Sequence, residues 1–149
     1  MIKIIVNDLK ITHKEITKLL NNMNKSKDYN ASKIFCYPIR TIKKRKKMIN
    51  HSTFITARCK QTNELVGLIR IIGDSTYEYY FSEVMVIPSM QSKGIGTRLI
   101  KKAINYCKKN DYMQIFLSSA KGKESFYNKF GFKPCKLTIM KIKNLKLEE

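Results

Sequence analysis

The sequence of 149 residues is the length of one compact domain. With 43% hydrophobic residues, seven Phe and eight Tyr, it can bury a core without disulfides or a structural metal, which sets aside disordered chains and small disulfide scaffolds. Thirty Lys and Arg against 11 Asp and Glu leave a formal charge of +19, and a surface of that sign attracts phosphate-bearing partners unless it serves solubility alone.

The charge is uneven. Residues 1–50 hold 13 basic and 3 acidic side chains, residues 51–100 hold 5 and 4, and residues 101–149 hold 12 and 4. The densest run lies between Arg40 and Lys47, interleaved with Ile42 and followed by Met48 and Ile49. It fits the solvated face of an amphipathic helix as well as it fits a polyanion-binding patch.

Residues 3–6 form a short β-like run. Thr12 reads as an N-cap with Glu15 completing a capping box, and Ile16, Leu19, Leu20 and Met23 supply a helical stripe. Residues 21–33 are polar and unassigned, and a second helix is expected over about 40–50. A meander of three strands follows at 52–60, 65–72 and 77–87, with turns at 61–64 and 73–75. Pro88 ends the third strand, having no N–H for a ladder. From Gly94 the period becomes helical, with Ile95, Leu99, Ile100, Ala103, Ile104 and Cys107 on the apolar face. A strand at 113–117, a short helix at 123–130 closed by Gly131, and a terminal strand or hairpin at 132–142 complete the chain.

Cys36, Cys59, Cys107 and Cys135 make no zinc spacing with His13 and His51, so reduced thiols and no metal are expected. No apolar run reaches 18 residues and the N-terminus turns polar too early for a secretory segment. A cytoplasmic protein without a membrane partner is the expectation.

The segment carrying chemistry is the turn after the long strand, where Gly94 and Gly96 open a helix. Backbone N–H groups there lack internal partners and point along the helix axis, which makes an anion site. Lys93, Thr97 and Arg98 stand ready to add donors. Gly96-Thr97 lacks the lysine of a Walker A loop, and Leu99 stands where a dinucleotide fingerprint has its third glycine.

Gln91-Ser92-Lys93-Gly94-Ile95-Gly96 resembles the Q/R-x-x-G-x-G/A pyrophosphate loop of the GNAT superfamily of acetyl-CoA-dependent N-acetyltransferases. Phe126-Tyr127, followed by Gly131-Phe132, looks like that family's second signature, and the element order β-α-α-β-β-β-α-β-α-β agrees. The resemblance implies a single α/β (α+β) domain over 1–149, with a mixed, mostly antiparallel sheet flanked by helices. It further implies an N-acetyltransferase using acetyl-CoA on a primary amine by direct attack. By similarity, the amides of Gln91, Ser92, Lys93, Gly94, Ile95, Gly96 and Thr97 would hold the pyrophosphate, with Lys93 and Arg98 on the phosphates. Met85 and Val86 would pair with the pantetheine arm, and an N–H there would polarise the thioester carbonyl. Tyr127 matches the general acid for the departing thiolate. Ser118 or Ser119 stands where relatives carry a cofactor-binding asparagine; Ser119 is taken as the contact. Glu83 is the candidate base or water relay, against a structural ion pair. Strand parity puts it on the face of Tyr79, Phe81 and Met85.

Two alternatives use the charge. One is acetylation of a macromolecular amine, tRNA-linked or ribosomal; the other is a catalytically idle scaffold that binds nucleic acid. For a small acceptor, the +19 field favours carboxylate or phosphate substituents. A monomer or homodimer is expected.

Overall fold

A computed structural model describes residues 1–24, 41–136, 138 and 140. Its elements are β1 (Ile2–Val6), α1 (His13–Asn24), α2 (Ile42–Asn50), β2 (Thr53–Cys59), β3 (Leu65–Gly73), β4 (Glu78–Val86), a 3-10 turn (Pro88–Met90), α3 (Ile95–Lys109), β5 (Gln114–Leu117) and α4 (Glu124–Asn128). Cys36, Arg40 and most of the unassigned polar stretch lie outside the described residues.

The strands form one sheet in the order β1-β2-β3-β4-β5. The first four are antiparallel and β5 joins β4 in parallel. Each face is covered by an amphipathic helix. On one face α3 buries Leu99, Ile100, Ala103 and Cys107 against Ile55, Ile69, Ile71, Tyr79 and Phe81. On the other α1 buries Ile16, Leu19 and Met23 against Phe54, Leu68 and Met85. Burial inside the first layer pushes the Cys107 thiol up to about 12, so it is an inert core group.

The capping box forms as expected: Glu15 N donates to Thr12 Oγ1 at 3.3 Å, and Thr12 N donates back to Glu15 Oε2 at 2.9 Å. The same Glu15 reaches a buried cluster that was not expected. Arg58 Nε donates to Asp8 Oδ2 at 2.8 Å, its Nη1 donates to Glu15 Oε1 at 2.5 Å, and Thr56 Oγ1 donates to Asp8 Oδ2 at 2.7 Å. These bonds tie the loop after β1 and the start of α1 to β2.

Of the basic run, Arg45 turns to Thr17 of α1, while Lys43, Lys44, Lys46 and Lys47 are exposed. The described part of the run thus presents four exposed lysines and one inward cation, an arrangement that both a solvated face and a binding patch share. The expected strand or hairpin over 132–142 is corrected in its described part: residues 132–136 pair with no strand. Pro134 removes a ladder donor from this stretch. Instead the Phe132 ring packs edge-on to Phe81 and Tyr127. Residues 137, 139, 141 and 142 lie outside the described residues.

Candidate active site

The site begins where β4 and β5 part. Their parallel pairing covers only Glu78–Phe81 opposite Gln114–Leu117, so residues 82–86 of β4 keep a free outer edge among the described residues. A bulge marks the same place: Arg70 pairs with Glu83, but Ile71 pairs with Phe81, leaving Ser82 unmatched.

That extra residue reverses the side-chain phase, so the parity expectation for Glu83 is corrected. Arg70 and Ile71 point to opposite faces, hence so do their partners Glu83 and Phe81. Tyr79 and Phe81 belong to the α3 layer, whereas Glu83 and Met85 lie on the α1 face. Glu83 is 5% exposed and accepts from Arg70 Nη1 at 3.1 and 3.4 Å. The ion pair weighed as the alternative to a base is thus present.

Along the open edge, Gln91 Nε2 donates to Val86 O at 2.9 Å. The N–H and C=O of one strand residue point to the same side, so the Val86 N–H also faces the gap. Met85 is not brought there. Its carbonyl faces β3, 2.7 Å from where a Cβ on Gly67 would lie, and its side chain is buried in the α1 layer. The amide clamp by Gln91 was not foreseen; a glutamine shortly after a strand end is too common a pattern to signal it.

The chain then enters α3 through Gly94, whose φ of 72° is left-handed and which offers no side-chain cap. The first amides of α3 are therefore open to an external acceptor. Ile95 anchors the turn by burying its side chain, while Thr97 is half-buried and Ser92, Lys93 and Arg98 are exposed. Lys93 Nζ folds back onto Ser89 O at 3.0 Å, and Arg98 Nη2 donates to Ile2 O at 3.0 Å, so both cations have backbone partners. Gly96 also serves packing. A Cβ there would lie 3.2 Å from Phe126 Cζ, so the missing side chain makes room for the α4 aromatic.

Ser92 also adopts a left-handed φ, 59°, which costs a side-chain-bearing residue about 1 kcal/mol. Ser92→Gly is expected to raise the melting temperature by about 2–4 °C, read by calorimetry.

Tyr127 lies on α4 between the rings of Phe126, 5.1 Å away, and Phe132, 6.2 Å away. Burial pushes its phenol above the ordinary value, keeping it protonated through neutral pH, and its hydroxyl has no partner among the described residues. It approaches from the α3 side, opposite Glu83. Beyond β5, Ser119 Oγ donates to Ala120 O at 3.0 Å, and Ser118 Oγ pairs with Tyr80 OH at 2.8 Å. Among the described residues no cluster of His, Cys, Asp and Glu could hold a metal, and no helix is long and apolar enough to cross a membrane.

The Acetyltransferase (GNAT) domain family model matches residues 24–142. The chain belongs to the GNAT acetyltransferase family. GNAT membership makes acyl transfer its general activity, and solved structures share the fold. A GNAT family acetyltransferase of Streptococcus pneumoniae TIGR4 is 23% identical with a TM-score of 0.74, over 98% of this chain and 100% of that one. Glucosamine-6-phosphate N-acetyltransferase of Arabidopsis thaliana is 12% identical with a TM-score of 0.70, over 97% and 99%. An aminoglycoside acetyltransferase from an uncultured soil sample is 15% identical with a TM-score of 0.66, over 97% and 99%.

Proposed function

We propose that residues 1–149 form one N-acetyltransferase domain that moves the acetyl group of acetyl-CoA to a primary amine by direct attack. The observation that carries this is the combination, among the described residues, of three features: an open β4 edge, the uncapped start of α3 behind Gly94, and a Tyr127 hydroxyl without a partner. An edge that can accept another extended backbone and a helix start that can accept phosphate suit a long, phosphorylated, amide-containing cosubstrate. Neighbours named for glucosamine-6-phosphate and aminoglycosides support an amine as acceptor.

Acetyl-CoA supplies a thioester, whose carbonyl carbon the amine nitrogen attacks. The amides of residues 91–97 bind its pyrophosphate, with Ser119 close to the arm. The Val86 N–H donates to the carbonyl oxygen, where negative charge grows. Glu83 takes the ammonium proton directly or through water, limited by its bond to Arg70. As the C–S bond breaks, Tyr127 gives its proton to sulfur and recovers one from solvent.

Calorimetric titration of the purified chain with acetyl-CoA, followed by an acetyl-transfer screen over amines, amino sugars, amino acids and peptides, tests the reading. Saturable binding and an acetylated amine are expected. Absence of acetyl-CoA binding overturns it.

A further inference from the structure

On the α1 face, the side chains of β3 and β4 stand in rows. Arg70 lies opposite Glu83, and in the next row Ile72 lies opposite Tyr80, itself beside Phe116 of β5. Ile72 and Tyr80 are each 37% exposed, so this second row is open where β4 and β5 begin to part.

Arg70 is gripped at two nitrogens. Nε donates to Ser52 Oγ at 2.9 Å and Nη1 donates to Glu83. Nη2, with two further donors, has no acceptor among the described residues. Nor is it sealed in. The Tyr79 hydroxyl is the one fully buried side-chain polar atom without a partner among the described residues, and the Arg70 side chain keeps 12% of its exposure. A guanidinium immobilised at Nε and Nη1 with Nη2 reaching solvent is a preformed receptor for an oxyanion, because its planar fork loses little freedom on binding. The net charge of +19 adds a long-range pull of the same sign.

We infer that Arg70 Nη2 binds an acidic group on the acceptor, so that the substrate is an amine that also carries a carboxylate or phosphate, with its body over Ile72 and Tyr80. This rests on the proposed acceptor being an amine delivered beside Glu83. Holding the acid group next to the Arg70–Glu83 row fixes the amine end near the gap that opens at Ser82. Arg70 is thereby a specificity-determining residue.

The test compares matched acceptors on the full chain with acetyl-CoA: phenylalanine against phenethylamine, and O-phosphoethanolamine against ethanolamine. The acidic member of at least one pair is expected to have a kcat/KM about 10- to 100-fold higher, the range of a charge-assisted hydrogen bond. Which pair responds tells carboxylate from phosphate. In Arg70→Lys, which keeps a cation beside Glu83 but loses the fork, the ratio should fall towards one. Ratios are taken within each protein, so a general loss of folding or turnover cancels. A thermal-shift titration without acetyl-CoA is the second readout: the preferred acidic member should raise the melting temperature of the wild type and not of Arg70→Lys. Equal kcat/KM within both pairs, or a ratio unchanged by Arg70→Lys, overturns the inference while leaving acetyl transfer standing. Loss of both acetyl-CoA binding and transfer is the failure of the underlying reading, and takes this inference with it.

Discussion

Tyr127→Phe is expected to lower kcat about 100-fold while leaving acetyl-CoA affinity nearly unchanged. The ring stays packed against Phe126 and Phe132, so the seat of α4 is preserved and only the hydroxyl is lost. General acids contribute about 10²–10⁴-fold, and the low end applies here. A thiol of pKa about 8.5 is a good leaving group, and a phenol above about 10 drives protonation weakly, so placement matters more than acidity. Steady-state kinetics and acetyl-CoA calorimetry on the same preparation separate the effects; an equally active variant removes Tyr127 as the acid. Because burial raises the phenol, loss of its proton should limit turnover only above the ordinary tyrosine range. Between neutral and moderately alkaline pH the rate should rise as the amine loses its proton.

Arg58→Met should be the most destabilising single change described here, by about 3–5 kcal/mol, lowering the melting temperature by about 6–20 °C. Arg58 is 3% exposed and joins two carboxylates, so its removal strands buried negative charge while the methionine fills only the volume. The pH dependence identifies the cause. Burial opposes ionisation of Asp8 and Glu15, but hydrogen bonds from Thr56 and Arg58 to Asp8, and from Arg58 and Thr12 to Glu15, outweigh it and hold both below their ordinary values. Their contribution is whole above about pH 4.5 and is lost as pH falls through the depressed values. In the variant the bonds from Thr56 and Thr12 remain but those from Arg58 are lost, so both groups protonate more readily than in the wild type, and the gap to wild type should narrow on acidification. Denaturant melts at pH 7 and pH 4 measure this; a gap that stays constant would show that packing, not charge, is what Arg58 supplies.

The helices and the strand meander were legible because their patterns are local. Thr12 and Glu15 mark a helix start on their own, and Ile95, Leu99, Ile100 and Ala103 repeat at the helical period. The chemistry-bearing loop was legible as a motif. What escaped depends on partners distant in the chain. The phase reversal at Ser82 exists only in the register between β3 and β4, and no alternation within β4 alone shows it. Lys93 lies within the proposed anion loop and Arg98 beside it in sequence, yet one closes on the 3-10 turn and the other on β1. The Asp8–Arg58–Glu15 cluster joins residues as much as 50 positions apart. Tyr79 and Phe81 pack inside the α3 layer, while Tyr80 faces out, which divides the aromatic run that composition alone presents as one feature.

The contact between Gly96 and Phe126 joins the two motifs mechanically. One lies at the proposed cradle for the cosubstrate's far end, the other next to the proposed proton donor at its reacting end. In the proposed mode of binding, a shift of the loop at Gly96 would meet the Phe126 ring, next to Tyr127, without passing through the sheet. On the proposed function, the grip on the far end of acetyl-CoA would help to set the acid in place, so short thioesters lacking the nucleotide portion should lose turnover as well as affinity in steady-state kinetics.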